Sequence, residues 1–172
     1  MGDLYLKKGS NIRNLTNSKD HETNPVYDSK TRMIYFASWN DKDFGGVYKM
    51  AVNNNKREKI SSVRSQYGSI ALSKKGHVAY IRGGGSLING NHLEGKNDYK
   101  LVLNWKDEEK VLADITWIGN MFAKRPPSVF FGSDDRIYYS DYVSDTLTIK
   151  SVTLYGLDEK SIYKFSNATR AI

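Results

Sequence analysis

One sequence feature constrains the fold of this chain more than any other: a short apolar strand, a tight polar turn and a second strand, written three times. The first copy is Pro25-Val-Tyr-Asp-Ser-Lys-Thr-Arg-Met-Ile-Tyr-Phe-Ala-Ser38. The second is Ile70-Ala-Leu-Ser-Lys-Lys-Gly-His-Val-Ala-Tyr-Ile-Arg82, and the third is Pro127-Ser-Val-Phe-Phe-Gly-Ser-Asp-Asp-Arg-Ile-Tyr-Tyr-Ser140. Apolar runs this short, rich in β-branched and aromatic residues and bounded by turn formers, read as buried strands rather than helices.

The anchors recur at a nearly fixed interval. Tyr5 and Tyr48 are 43 residues apart, Ile34 and Val78 are 44 apart, and Val78 and Ile137 are 59 apart. A repeat of about 40 to 45 residues holding four short strands predicts the blades of a β-propeller, and the longer interval marks an insertion. One whole unit reads as strands A to D at Pro25 to Tyr27, Met33 to Ser38, Gly46 to Val52 and Arg57 to Ser61. Strand B is almost continuously apolar, as an inner strand covered on both faces should be. The Asn53-Asn-Asn turn is expected to use the tolerance of Asn for positive φ and its capping of its own backbone.

The expected fold is therefore all-β, a partial β-propeller of three complete four-stranded antiparallel blades plus a half blade at the N-terminus. The expected units are a half blade at 1–17, a blade at 18–62, a blade at 63–114 with an inserted loop at 83–98, a blade at 115–166, and the start of a further strand at 167–172. Both ends read as cut within a blade. Either the sequence is a segment of a longer protein or two copies complete a ring, because a propeller closes to protect its edge strands.

Composition narrows the function classes. With 39% apolar and 12% aromatic residues the chain is globular. It has no cysteine, which excludes disulfides and thiolate metal sites. No run approaches the roughly 20 apolar residues of a spanning helix, so no membrane insertion is expected. The net charge of +7 raises a polyanion as partner, but the basic residues fall in short groups (Lys7-Lys8, Lys56-Arg57, Lys74-Lys75, Lys124-Arg125), each beside a predicted turn. Charge dispersed in this way reads as solvated surface, and no nucleic-acid partner is expected.

These repeats resemble the TolB-like, WD-type propeller repeats of bacterial periplasmic proteins, whose units join a strand, a Ser-Pro-Asp-Gly-Lys-like turn, an Ile-Ala-Phe-like strand and an Asp-Leu-Tyr-like strand. Three stretches resemble the propeller domain that precedes a bacterial amidohydrolase domain: Tyr80-Ile-Arg-Gly-Gly-Gly-Ser-Leu-Ile-Asn-Gly-Asn91, Arg136-Ile-Tyr-Tyr-Ser-Asp141 and Lys164-Phe-Ser-Asn-Ala-Thr169. The chain departs from the family pattern in its turns, where the Pro is absent from all three copies and the Gly survives only as Gly76. The resemblance implies a periplasmic or otherwise extracytoplasmic location.

No chemistry-bearing constellation emerges from the residues. The three histidines, His21, His77 and His92, stand far apart, and neither His-x-His nor His-Glu-x-x-His occurs, so no metal site is assigned. The glycine-rich run from Arg82 to Gly95 lacks the following helix that a phosphate loop needs and reads as a docking or lid loop. The carboxylate runs Asp107-Glu-Glu109, Asp134-Asp135 and Asp158-Glu159 fall in predicted turns. No catalytic, cofactor-binding or metal-ligating residue is assigned.

Loop length carries the one functional expectation. In an antiparallel meander the A–B and C–D connections emerge at one end, and the B–C and D–A connections at the other. The short turns all fall at the first end. The long segments Trp39 to Gly45, Gly83 to Asp98 and Asp114 to Arg125 all fall at the second, with Arg82, His92, Trp117, Met121, Phe122, Lys124 and Arg125 as the expected interaction face. The bland alternative is that Trp117 and Phe122 only plug a blade junction. Two functions stay open: a non-catalytic interaction module docking another domain, protein or substrate, or the propeller portion of a metal-dependent amidohydrolase whose catalytic domain lies outside this chain. By itself the chain is expected not to be an enzyme.

Overall fold

The computed structural model describes residues 2–83, 87–88, 92–93, 98–106, 108–117 and 126–166, and every regular element among them is a β-strand. An N-terminal hairpin pairs β1 (Tyr5–Lys8) with β2 (Asn11–Asn14). Next comes a meander of β3 (His21–Asp28), β4 (Met33–Asn40), β5 (Phe44–Ala51) and β6 (Glu58–Lys59). A second contains β7 (Tyr67–Leu72), β8 (Val78–Arg82), β11 (Asp98–Trp105) and β12 (Glu108–Thr116), and between β8 and β11 it carries a small hairpin of β9 (Leu87–Ile88) and β10 (His92–Leu93). The third contains β13 (Val129–Phe131), β14 (Ile137–Val143), β15 (Thr146–Val152) and β16 (Lys160–Ser166). All pairings within the sheets are antiparallel. These are three four-stranded propeller blades, called the first, second and third below, preceded by a half blade.

The register matches the copies residue by residue. Tyr27 faces Ile34, Leu72 faces Val78 and Phe131 faces Ile137, so the three occupy one position on the innermost strand of each blade. Two of these inner strands carry a bulge at the same place, between Thr23 and Val26 and between Gly68 and Ala71, with Asn24 and Ser69 at positive φ. Pro25 sits within the first bulge, where its missing N–H costs no ladder bond.

The core consists of three inter-blade layers. Phe36, Tyr80 and Tyr139, equivalent residues on the second strand of each blade, are fully buried and each faces the preceding unit. Period-2 alternation explains why both faces of a strand are apolar: on β8, Val78 and Tyr80 pack toward the first blade, while Ala79 and Ile81 pack toward the third. At about 25 cal/mol per Å² of apolar surface removed from water, such buried side chains supply the main drive for stacking blade on blade.

Three local expectations are corrected. The Asn53-Asn-Asn turn has no residue at positive φ and is held instead by the other expected means, backbone capping: Asn54 N–H donates to the Ala51 carbonyl, and the Asn54 side chain accepts from Lys56 N–H. The outer strand expected at Arg57 to Ser61 is reduced to Glu58–Lys59, because the Ser61 hydroxyl accepts the Val47 N–H that a backbone carbonyl would take in a longer strand. Part of the insertion at 83–98 is a hairpin rather than a featureless loop.

Candidate functional site

The ends of the blades follow from strand order. Turns β3–β4, β7–β8 and β13–β14, with turns β5–β6, β11–β12 and β15–β16, share one end. The β9–β10 hairpin and the blade-to-blade connections share the other. Of the residues expected on the long-loop face, Arg82 ends β8 in one row across the blade, Tyr67 to Arg82 to Lys100 to Asp114. His92 is placed on β10, and Trp117 immediately follows β12, at this same end. Trp117 is half-buried against the core between the second and third blades and meets Tyr142 edge-on at 5.9 Å. Met121, Phe122, Lys124 and Arg125 lie outside the described residues.

At the same end of the first blade the long segment expected at Trp39 to Gly45 is corrected to a tight turn of three residues, 41–43, because Trp39 and Asn40 complete β4 and Phe44 and Gly45 open β5. Asn40 accepts the Lys42 and Asp43 N–H groups at 3.0 and 2.6 Å, and the chain then enters Phe44 at φ +60°, an uncommon conformation for an aromatic residue. Phe44 packs edge-on against Trp39 at 5.8 Å, and the next residue must be glycine, because a Cβ on Gly45 would stand 2.1 Å from the Ser65 carbonyl oxygen. Below this turn Glu22, whose side chain is fully buried, accepts from Thr16 and Ser18 and lies 3.5 Å from the Arg57 guanidinium, which also pairs with Asp20 at 2.8 Å. Arg57 in turn lies over the Tyr48 ring.

The opposite end, closed by short turns, holds a cleft of about 230 Å³ between the first and second blades, with Tyr35, Lys49 and Ile60 on one wall and Asn104, Trp105 and Lys106 on the other. Its origin is visible in the repeat. The positions equivalent to Asn104 are Met50 and Val152, both 1% exposed and filling their junctions, whereas Asn104 places an amide there and donates it to the Ile60 carbonyl at 3.0 Å. The positions equivalent to Trp105 are Ala51 and Thr153, and Trp105 is 40% exposed. His77 lies against its indole with ring centroids 4.1 Å apart, and the Lys106 ammonium stands 5.7 Å from the ring centroid. Burial and the neighbouring Lys75 ammonium hold the His77 imidazole below its ordinary pKa, opposed by Asp135. Sequence reading passed over this cleft, although its signal was present: one repeat alone carries Asn-Trp where the others carry Met-Ala and Val-Thr.

Among the described residues no group of three or more His, Cys, Asp or Glu side chains could hold a metal ion, and no helix is long and apolar enough to cross a membrane. His77 stands at the short-turn end, away from His21 and His92.

No family model and no curated protein matches the chain. Solved structures do. TolB from Acinetobacter baumannii aligns over 89% of this chain with a TM-score of 0.65 and 13% identity, and a putative TolB from Agrobacterium tumefaciens over 95% with 0.62 and 9%. A puromycin-hydrolyzing peptidase of Mycobacterium tuberculosis aligns over 95% with 0.65 and 10%. This chain spans 35%, 57% and 28% of those three chains. At such identities the likeness is one of fold: the chain has the architecture of a TolB-like β-propeller, built as three blades and a half blade.

Proposed function

We propose that the chain is a non-catalytic β-propeller interaction module that docks a partner domain, protein or substrate through its long-loop end, in an extracytoplasmic protein. The observation that carries this reading is the asymmetry of the two ends. The two longest connections, 83–97 between β8 and β11 and 117–128 between β12 and β13, both leave the blades at the end that holds Arg82, Trp117 and the Trp39–Phe44 pair, whereas the longest connection at the other end, 153–159, has seven residues. Lengthening a loop costs only about 0.6 kcal/mol per doubling, so long connections confined to one end mark a surface where added contact is of use.

The test is a differential capture from the native extract. Trp117→Ala, Phe122→Ala and Arg125→Ala should each lose a partner that the unaltered chain retains, whereas Asn54→Ala and Lys75→Ala should keep it. Equal loss from both sets, or loss from the second set alone, overturns the reading.

A second reading is supported by the likeness to 28% of the chain of a puromycin-hydrolyzing peptidase. In it the module shapes access to an amide-hydrolysing domain outside this chain. It predicts that the captured partner, or the longer protein, cleaves C–N bonds and that Trp117→Ala alters its KM rather than its fold.

A further inference from the structure

We propose that the exposed face of the third blade is the docking site for a second copy of this chain, which lays the outer face of its N-terminal half blade there and so continues the stack of blades head to tail. The contact does not involve the long-loop end, and the two readings stand or fall separately.

The third blade repeats one half of a junction that the chain builds three times over. In each junction the far side of one unit meets the near side of the next: Leu4 and Leu6 of the half blade with Ile34 and Phe36, Tyr35 and Ala37 with Val78 and Tyr80, and Ala79 and Ile81 with Ile137 and Tyr139. By register, Val26 with Tyr35, Ala71 with Ala79, and Phe130 with Tyr138 are the same pair of far-side positions on the two inner strands of the three blades. The first two pairs pack against the blade that follows. Phe130 and Tyr138 stack on each other at 5.1 Å, on a side where Phe130, Tyr163 and Phe165 are between 46% and 59% exposed. Aromatic side chains bury about 150 to 250 Å² each, so together these rings expose several hundred Å² of apolar surface, the size that marks an interaction site.

The near side of the half blade supplies the matching surface. Leu4, Leu6 and Leu15 turn toward the first blade, so strand alternation and the β1–β2 register put Tyr5, Lys7 and Ile12 on the opposite side, where Tyr5 is 61% and Ile12 65% exposed. Lys7 adds an aliphatic stem whose ammonium reaches water, and Asn14, opposite Tyr5, already donates its amide to Asp3 at 2.7 Å. Shape favours the half blade over a full one. Its second strand leads into β3, the innermost strand of the first blade, so β1 and β2 hold the two outer positions of their unit. Such a unit brings no inner strands opposite Phe130 and Tyr138, the bulkiest of the three pairs, and leaves room for two stacked rings. Charge does not stand in the way: Lys160 pairs with Asp158 at 3.0 Å and Asp134 accepts from the Tyr138 hydroxyl at 2.8 Å, each within the third blade. Two third-blade faces meeting each other would set like sides together, which none of the three junctions does; the contact is therefore heterologous, one surface of each copy against a different surface of the next.

The test is sedimentation equilibrium of the whole chain and of variants in each surface. Tyr163→Lys with Phe165→Glu alters the third-blade face. Ile12→Glu alters the half-blade face, with the new carboxylate opposite Lys7 so that the hairpin keeps a favourable cross-strand pair, and Tyr5→Ser reads the same face without adding a charge. All of these positions are exposed, and each variant should keep the far-UV spectrum of the unaltered chain. The unaltered chain should associate as its concentration rises, and each variant alone should associate about tenfold more weakly or less. Mixed in equal amounts, the third-blade variant and Ile12→Glu should regain a one-to-one complex, because one retains the half-blade surface and the other the third-blade surface. An unaltered chain that stays monomeric at about 1 mM overturns the proposal. So do half-blade variants that associate like the unaltered chain, which would mean that third-blade faces meet each other, and so does a mixture that stays monomeric.

Discussion

Arg32 closes the β3–β4 turn at φ +59°, where the equivalent turns use Gly76 at +86° and Asp135 at +60°. A left-handed conformation costs an L-residue about 1 to 2 kcal/mol, and glycine gives back about 0.5 to 1 kcal/mol in unfolded-chain entropy. Arg32 is exposed and has no ion pair among the described residues, so Arg32→Gly should stabilise the chain by about 0.5 to 1 kcal/mol, read as a higher urea midpoint at constant m. Gly76→Ala should lower the midpoint by a comparable amount; a lower midpoint in Arg32→Gly would show that the side chain holds the turn in some other way. At this scale the sequence was partly legible. Loss of the turn glycine was plain, but which residue takes positive φ was not, because several residues of a polar turn tolerate it and hydrogen bonding within the turn chooses among them.

A buried tyrosine hydroxyl on the second strand holds an outer-strand acid in two of the blades. In the second blade the buried Tyr80 hydroxyl donates to Glu109, whose other oxygen accepts from Ser62 N–H at 2.9 Å and from the Ser62 hydroxyl. This joins the outer strand of one blade to the segment leaving the one before it. Burial, then the Glu109 hydrogen bond and charge, push the Tyr80 phenol far above its ordinary pKa, so it stays a donor at any physiological pH. In the third blade Tyr139 donates to Glu159, and burial again raises the phenol. The first blade has Phe36 at that position, stacked on Tyr48 at 5.9 Å, and needs no acid. Tyr80→Phe and Tyr139→Phe should each cost about 1 to 2 kcal/mol, since each leaves a carboxylate short of a donor. The two lie in different junctions and should add within about 0.5 kcal/mol in the double variant. Strong non-additivity in denaturation would mean that the blades do not unfold together as one unit.

On the scale of the whole molecule, the third blade carries an exposed apolar face. The register of β13 to β16 puts Phe130, Tyr138, Tyr163 and Phe165 on the side opposite Val129, Ile137, Tyr139 and Val152. Phe130 stacks on Tyr138 at 5.1 Å and Tyr163 lies 4.5 Å from Phe165, with Phe130, Tyr163 and Phe165 each between 46% and 59% exposed. The isolated chain should therefore bind ANS and self-associate with rising concentration, and Tyr163→Lys with Phe165→Glu should reduce both. A strictly monomeric particle by light scattering that binds no ANS would show this face to be covered. Blade count, strand order and the equivalence of Tyr27, Leu72 and Phe131 were legible in the sequence, because alternation and turn chemistry are local and repeat with the period. The bonds between blades span 44 residues from Lys30 to Lys74 and from Ile60 to Asn104, and 60 from Lys75 to Asp135 and from Ser69 to Val129, so the same period returns as their separation. What meets across those junctions was decided only by tertiary structure. Stacking sets which turn lies beside which, and so it brought Lys30 to the Lys74 carbonyl and Lys75 to Asp135 and opened a cleft where Asn104 replaces an apolar residue.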